Sequence, residues 1–173
     1  LPLLSFGRAL PVGVESLSEW FLVTLRSPMR DSEVMEHLSS CMIEGMELVR
    51  TELMPLVGKV PMPVEELFRL KVGEKAVARE PERLADWAGR LAEDWKHFAD
   101  SSFLGFEREN KKGTLKTVNL RSLLVDYERR EGGEIFLKLN WRETYFSPLT
   151  LIRTVSPWLD AADIELLKLA QYF

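Results

Sequence analysis

His37, His97 and Cys41 are the whole supply of imidazole and thiol in this sequence. They are the groups most able to bind a transition metal or move a proton near neutral pH. His37 and Cys41 stand four apart, a spacing that puts both on one face of a helix. Two ligands do not complete a zinc site, and no further His, Cys or acidic pair has supporting spacing. Cys41 also continues an apolar stripe, so it is expected to be a small buried hydrophobe. His97 lies in Trp95-Lys96-His97-Phe98 near a predicted helix C-terminus, where the helix dipole favours a cationic surface imidazole. The sequence has no Gly-rich phosphate loop, no Gly-x-Ser-x-Gly elbow and no His-Glu-x-x-His. Its carboxylates mix with bases, as in Glu82, Arg83, Asp86, Arg90, Glu93, Asp94 and Lys96, the pattern of a solvated helix face. No catalytic residue, metal site or cofactor is nominated, and the chain is not expected to be an enzyme by itself.

Two segments carry binding chemistry instead. The first is Ser5-Phe6-Gly7-Arg8-Ala9-Leu10-Pro11-Val12-Gly13-Val14-Glu15-Ser16. Gly13 permits a close backbone approach, and free N–H groups around it could hold an anion. Ser5, Phe6, Gly13, Glu15 and Ser16 are the candidates there; the alternative is an ordered turn that feeds the next strand. The second segment runs from Arg108 to Lys116 and on to Arg121. Arg108, Lys111, Lys112, Lys116 and Arg121 outnumber Glu107 and Glu109. Lysines at a hairpin tip suit phosphate contacts, and they also keep a turn solvated. Lys111, Lys112, Lys116 and Arg121 are the candidates for nucleic-acid contact.

The frame around these segments is bounded by composition. The chain has 173 residues, 46% of them hydrophobic and 29% charged, which fits one large globular domain or two small ones. A net charge of −4 argues against a bulk electrostatic grip on nucleic acid and leaves room for a local basic strip. One cysteine forms no internal disulfide and supplies no cysteine cluster. No apolar run reaches the ~20 residues of a membrane helix, so no membrane contact is expected.

Periodicity then gives the elements. Residues 19–25 alternate with both faces largely apolar, which predicts a strand inside a sheet. A helix opens at Asp31 or Ser32, carries Val34, Leu38, Cys41 and Met42 on one stripe, and stops at Gly45. A second strand is expected over 46–53, followed by a proline-rich linker. Beyond it, 66–72 reads as a strand with Phe68, Leu70 and Val72 inward. Pro81 opens the longest helix, whose stripe is Leu84, Trp87, Leu91, Trp95 and Phe98. A hairpin over 103–108 and 115–120 turns at Gly113. Strands through Leu123, Val125 and Tyr127 and through Ile135, Leu137 and Leu139 follow. Ser147 caps a short helix with Pro148 at its first position. Residues 164–173 carry apolar side chains in both phases and are read as a buried strand.

The expected fold is therefore α+β: ferredoxin-like β-α-β units with a mostly antiparallel sheet and helices packed on one face. Residues 1–58 form an incomplete first unit and 64–173 a second, together one compact body. The chain opens at Leu1 in mid-pattern, so half of the first unit is expected to be missing.

The run from Leu4 to Ser16, with Glu19 and the strand after it, resembles the signature of the radical-SAM-linked family known as domain of unknown function 2344. Lys111-Lys112-Gly113, Val118-Asn119-Leu120-Arg121 and Leu123-Leu124 are similar to that family's second motif, with Asn119 in place of the usual Asp. Lys168 and Ala170 stand where the family tends to carry an Arg-Thr pair. The resemblance implies a cytoplasmic bacterial domain beside, or fused to, a radical SAM protein or domain. The resemblance supplies no activity; together with the absence of catalytic motifs and the basic hairpin it leads to the expectation of a non-catalytic accessory domain that presents RNA or a ribosome-associated target. A protein-docking module is the alternative, with an exposed apolar patch near Leu3, Leu4 and Phe6. A hydrolase on the same sheet would need convergent His, Glu or Lys groups.

Overall fold

The computed structural model describes residues 3–54, 61–109 and 113–173. They divide into two units: residues up to Arg8 with Trp20–Pro61, and Ala9–Glu19 with Met62–Phe173.

In the first unit, β1 (Leu3–Phe6) pairs antiparallel with β3 (Phe21–Thr24), and α1 spans Asp31–Ser39. β1 lies in a stretch that the sequence pattern presents as loop. β3 is shorter than expected and, among the described residues, pairs with β1 alone, so it is not an interior strand there. Apolar residues on both its faces reflect half-burial on each side. The expected strand over 46–53 does not form. The apolar residues there keep no period of two, since Leu48 and Val49 are adjacent and Arg50, Thr51 and Glu52 are all polar, and Met46, Val49 and Leu53 are exposed. α1 ends before Cys41, which is exposed rather than buried.

The second unit holds a five-stranded sheet in the order β2 (Val14–Ser16), β9 (Ile164–Tyr172), β4 (Glu65–Val72), β8 (Ile135–Asn140), β7 (Leu124–Arg129). The β2–β9 ladder is parallel and the others are antiparallel. The parallel ladder is why residues 9–19 belong with this unit rather than with residues near them in sequence. α2 (Glu74–Arg79), which the sequence reading omits, follows β4, and a 3-10 turn at Pro81–Arg83 leads into α3 (Leu84–Asp100). β5 (Gly105–Glu109) and β6 (Leu115–Asn119) form a separate hairpin, and α4 (Pro148–Val155) precedes β9. The mixed α+β class and mostly antiparallel sheet are as expected.

Period-two alternation decides which face is core. Phe68, Leu70 and Val72 of β4 meet Ile135 and Leu137 of β8 and Ile164 and Leu166 of β9 on the buried face. α3 covers it with Trp87, Leu91, Trp95 and Phe98, the last two in an edge-to-face contact at 5.5 Å. The other face carries ion pairs: Lys138–Glu65 at 2.7 Å and Lys71–Glu165 at 2.9 Å. Lys138 holds the Glu65 carboxyl below the ordinary carboxylate range. α4 is capped as its sequence predicts, the Ser147 hydroxyl accepting the Thr150 N–H at 3.4 Å. In β7 the alternation is broken by a register shift between Leu124 and Asp126, so Leu124 is buried and Val125 exposed.

Tyr127 of β7 supplies a pH test. Its hydroxyl donates to the Ala92 carbonyl at 3.2 Å, and burial raises its pKa above 10.0. The neutral phenol is favoured in the fold. Its contribution is whole below the unfolded value and is lost as pH rises through the folded one. Tyr127→Phe is expected to flatten the fall of Tm with pH above about pH 10; an unchanged alkaline limb would refute this.

Candidate functional site

A charged pair sits inside the second unit. Glu66 is 3% exposed and Lys168 2%. Burying a charge is costly unless it is paired and hydrogen-bonded, and here both are. The Lys168 ammonium donates to Glu66 Oε1 at 3.4 Å and also pairs with Glu19. Gln171 Nε2 donates to Glu66 Oε1 at 3.1 Å, and the Trp141 indole N–H donates to Oε2 at 2.7 Å.

A register shift in β9 builds this arrangement. Leu67 pairs with Ala170 and Phe68 with Lys168, so Leu169 is an extra residue with no opposite number on β4. In a regular strand, residues three apart point to opposite faces. The extra residue puts Lys168 and Gln171 on the same face, both aimed at Glu66. The first sequence motif meets the pair from the other side. Ser16 is in register with Lys168, and the Leu17 N–H donates to the Lys168 carbonyl at 2.8 Å. Gly13 turns the chain into β2 at φ +86°, where the Val14 N–H donates to Pro11 O at 3.1 Å. The Ser16 hydroxyl accepts the Ser18 N–H at 3.2 Å, and Glu15 faces outward. The motif thus delivers Glu19 to the buried ammonium. Chemically this is a clamp, with one cation shared by two carboxylates, rather than an open acid–base pair. Sequence reading missed Glu66 and left Lys168 as a departure from a family pattern. The signal for Glu66 was present, because the same alternation that turns Phe68 and Leu70 inward turns residue 66 inward too.

The remaining candidates lie elsewhere. Ser5 is half-buried on β1, and Phe6 is exposed beside Phe21 with ring centroids 5.9 Å apart; both belong to the first unit. Lys111 and Lys112 lie outside the described residues. Lys116 is exposed on β6, directly opposite Arg108 of β5. Phe106 anchors that hairpin through an edge-to-face contact with Phe146 at 4.9 Å, and the Arg108 guanidinium donates to Tyr145 O at 3.4 Å. Gly113 takes φ +77° in the turn. Arg121 is half-buried and ties two elements together, its Nε donating to Ala99 O at 3.0 Å and Nη1 to Leu124 O at 2.9 Å. Asn119 accepts from the Leu104 and Arg121 N–H groups at 3.1 Å each and donates from its amide to Ser102 O at 3.5 Å. An Asp there could not make the last bond.

Two surface cavities accompany these features. One of about 320 Å³ is lined by Lys71, Val77, Leu84, Ala88 and Gly133 among others. A second of about 210 Å³ lies between Arg121 and Tyr127. Neither is lined by Glu66 or Lys168. Among the described residues no group of three or more His, Cys, Asp or Glu side chains is arranged to hold a metal ion, and no helix is long and apolar enough to cross a membrane.

Compared with known proteins, residues 1–153 match a family model described as an uncharacterized protein conserved in bacteria. No curated protein and no solved structure matches the chain.

Proposed function

We propose that this chain, which belongs to the domain of unknown function 2344 family of uncharacterised proteins conserved in bacteria, is a cytoplasmic, non-catalytic accessory domain that holds RNA for a radical SAM protein. The observation that carries the RNA reading is the cross-strand pair of Arg108 and Lys116. Like charges directly opposite each other weaken a strand pair. Neither residue makes an ion pair among the described residues. An anion bridging the two cations relieves the repulsion, and phosphate oxygens are the natural acceptors. Lys111 and Lys112 add two further charges to the same sequence segment. The radical SAM partner follows from the family resemblance. A single cysteine cannot supply a three-cysteine cluster, so the iron–sulfur chemistry belongs to another polypeptide segment. The sheet order β9-β4-β8-β7, with helices after its first and third strands in chain order, supports a ferredoxin-like reading of the second unit.

Filter binding with a structured RNA tests this. Retention at low salt is expected to fall steeply as salt rises. The double variant Arg108→Glu, Lys116→Glu is expected to bind about tenfold or more weakly, with a shallower salt dependence by about one unit per lost phosphate contact. Negligible affinity at low salt, or an unaffected double variant, defeats the RNA reading. The exposure of Leu3, Leu4 and Phe6 on β1 favours a second reading, a protein-docking module. Salt-resistant co-purification with a radical SAM chain, without RNA binding, would carry that reading instead.

A further inference from the structure

We infer that Phe103 is a stacking platform for an unpaired RNA base, an inference that rests on the RNA reading of the β5–β6 hairpin and names what that hairpin grips. Phe103 is 59% exposed, and its ring lies over the backbone of Gly105. A Cβ added to Gly105 would lie 2.9 Å from the ring's Cε1 and 3.1 Å from its Cζ, so the ring rests directly on the glycine backbone. The chain around it is tied to the second motif. Asn119 accepts the Leu104 N–H at 3.1 Å and donates to the Ser102 carbonyl at 3.5 Å, and the Leu120 N–H donates to Leu104 O at 2.8 Å. An exposed aromatic ring that rests on backbone, with the chain bonded on both sides of its residue, loses less freedom than a free side chain when a base stacks on it.

The register of the hairpin sorts its side chains by chemistry. Gly105, Glu107, Glu109, Leu115 and Thr117 share the face on which the Phe103 ring lies, while Arg108 and Lys116 point to the other. The two carboxylates repel phosphate from the aromatic face and leave it to an uncharged base. The two cations, on long side chains at the opposite face, attract the backbone. Gly105 and Arg108 are about 10 Å apart along the strand, so a strand of RNA that crosses the hairpin edge meets both faces. Duplex RNA presents no free base face here, so the class of ligand is single-stranded RNA or an unpaired loop. A ring that only covered Gly105 would be replaced equally well by leucine; a platform needs the π face.

The test titrates a single-stranded RNA carrying 2-aminopurine into the full chain and reads quenching of its fluorescence together with filter retention. The wild type and Phe103→Tyr are expected to quench and to bind alike. Phe103→Leu is expected to lose the quenching and to bind about fivefold or more weakly, with a thermal melt confirming that it is folded. Equal binding and quenching by Phe103→Leu overturns the platform while leaving the RNA reading intact, and so does equal loss in Phe103→Tyr and Phe103→Leu. Absence of both signals in the wild type at low salt removes the RNA reading first, and the platform with it.

Discussion

Replacing Lys168 by methionine is expected to destabilise the protein by about 3–5 kcal/mol, the cost of leaving one member of a buried ion pair alone. For a chain of this length that is a fall in Tm of roughly 6–20 °C. Methionine fills similar volume, so the loss is electrostatic rather than a cavity. What remains is the Glu66 carboxylate, 3% exposed, with the Trp141 and Gln171 donors and no cation. Glu66→Gln on its own is a milder change. It keeps an oxygen acceptor and leaves Lys168 paired with Glu19, whose side chain is 40% exposed and partly in water. Its cost is about 1–2 kcal/mol, that of an imperfectly satisfied buried amide. The decisive outcome is the double variant. Once Lys168 is gone, neutralising Glu66 removes the uncompensated charge, so Glu66→Gln should raise the stability of Lys168→Met while lowering that of the wild type. Urea melts of the four proteins give this sign reversal directly. Additive losses, or a cost below about 1 kcal/mol for Lys168→Met, would mean that the pair is not a clamp.

How much of this was legible in the sequence depended on whether an element's pattern and its neighbours told the same story. α3 was readable because large apolar residues recur at helical spacing; Trp87, Leu91, Trp95 and Phe98 are buried over one sheet face, while Leu84 at the start of the stripe is exposed. β4 and β8 were readable because each alternates strictly. Residues 46–53 carry apolar residues without a strict period of two, and a strand is also a property of a ladder, whose neighbour the sequence does not disclose. The first motif reads as a binding candidate, and its place in the sequence puts its residues in the first unit. The β2–β9 ladder joins positions some 150 residues apart, beyond what local periodicity reaches. Arg121 reads as a contact residue by its charge, but two of its N–H groups go to backbone carbonyls that hold α3 to β7. Phe103 carried no signal at all until the structure laid its ring over Gly105. The ambiguity of 164–173 had a physical source. β9 places Leu166 and Leu167 in opposite phases with both buried, and then shifts phase at Leu169.

That phase shift makes a single deletion in β9 either mild or severe according to its place. Deleting Leu169 removes the residue that has no partner on β4. Lys168 stays opposite Phe68, Ala170 opposite Leu67 and Gln171 opposite Glu66, now in an unbroken ladder with the clamp intact. The expected cost is about 1 kcal/mol, from the half-buried leucine itself. Deleting Leu167 also straightens the ladder but by a different register. Lys168 moves to the position opposite Arg69, on the face that already carries Lys71, and Leu169 takes its place opposite Phe68. Glu66 is then buried without its ammonium, the same fault as in Lys168→Met, so a loss of about 3–5 kcal/mol or more is expected. The two faults share a remedy. Glu66→Gln should partly restore the Leu167 deletion, as it restores Lys168→Met, and should only further weaken the Leu169 deletion. Equal stability of the two deletion variants, or rescue of both by Glu66→Gln, would show that the extra residue in β9 is not what aims Lys168 at Glu66.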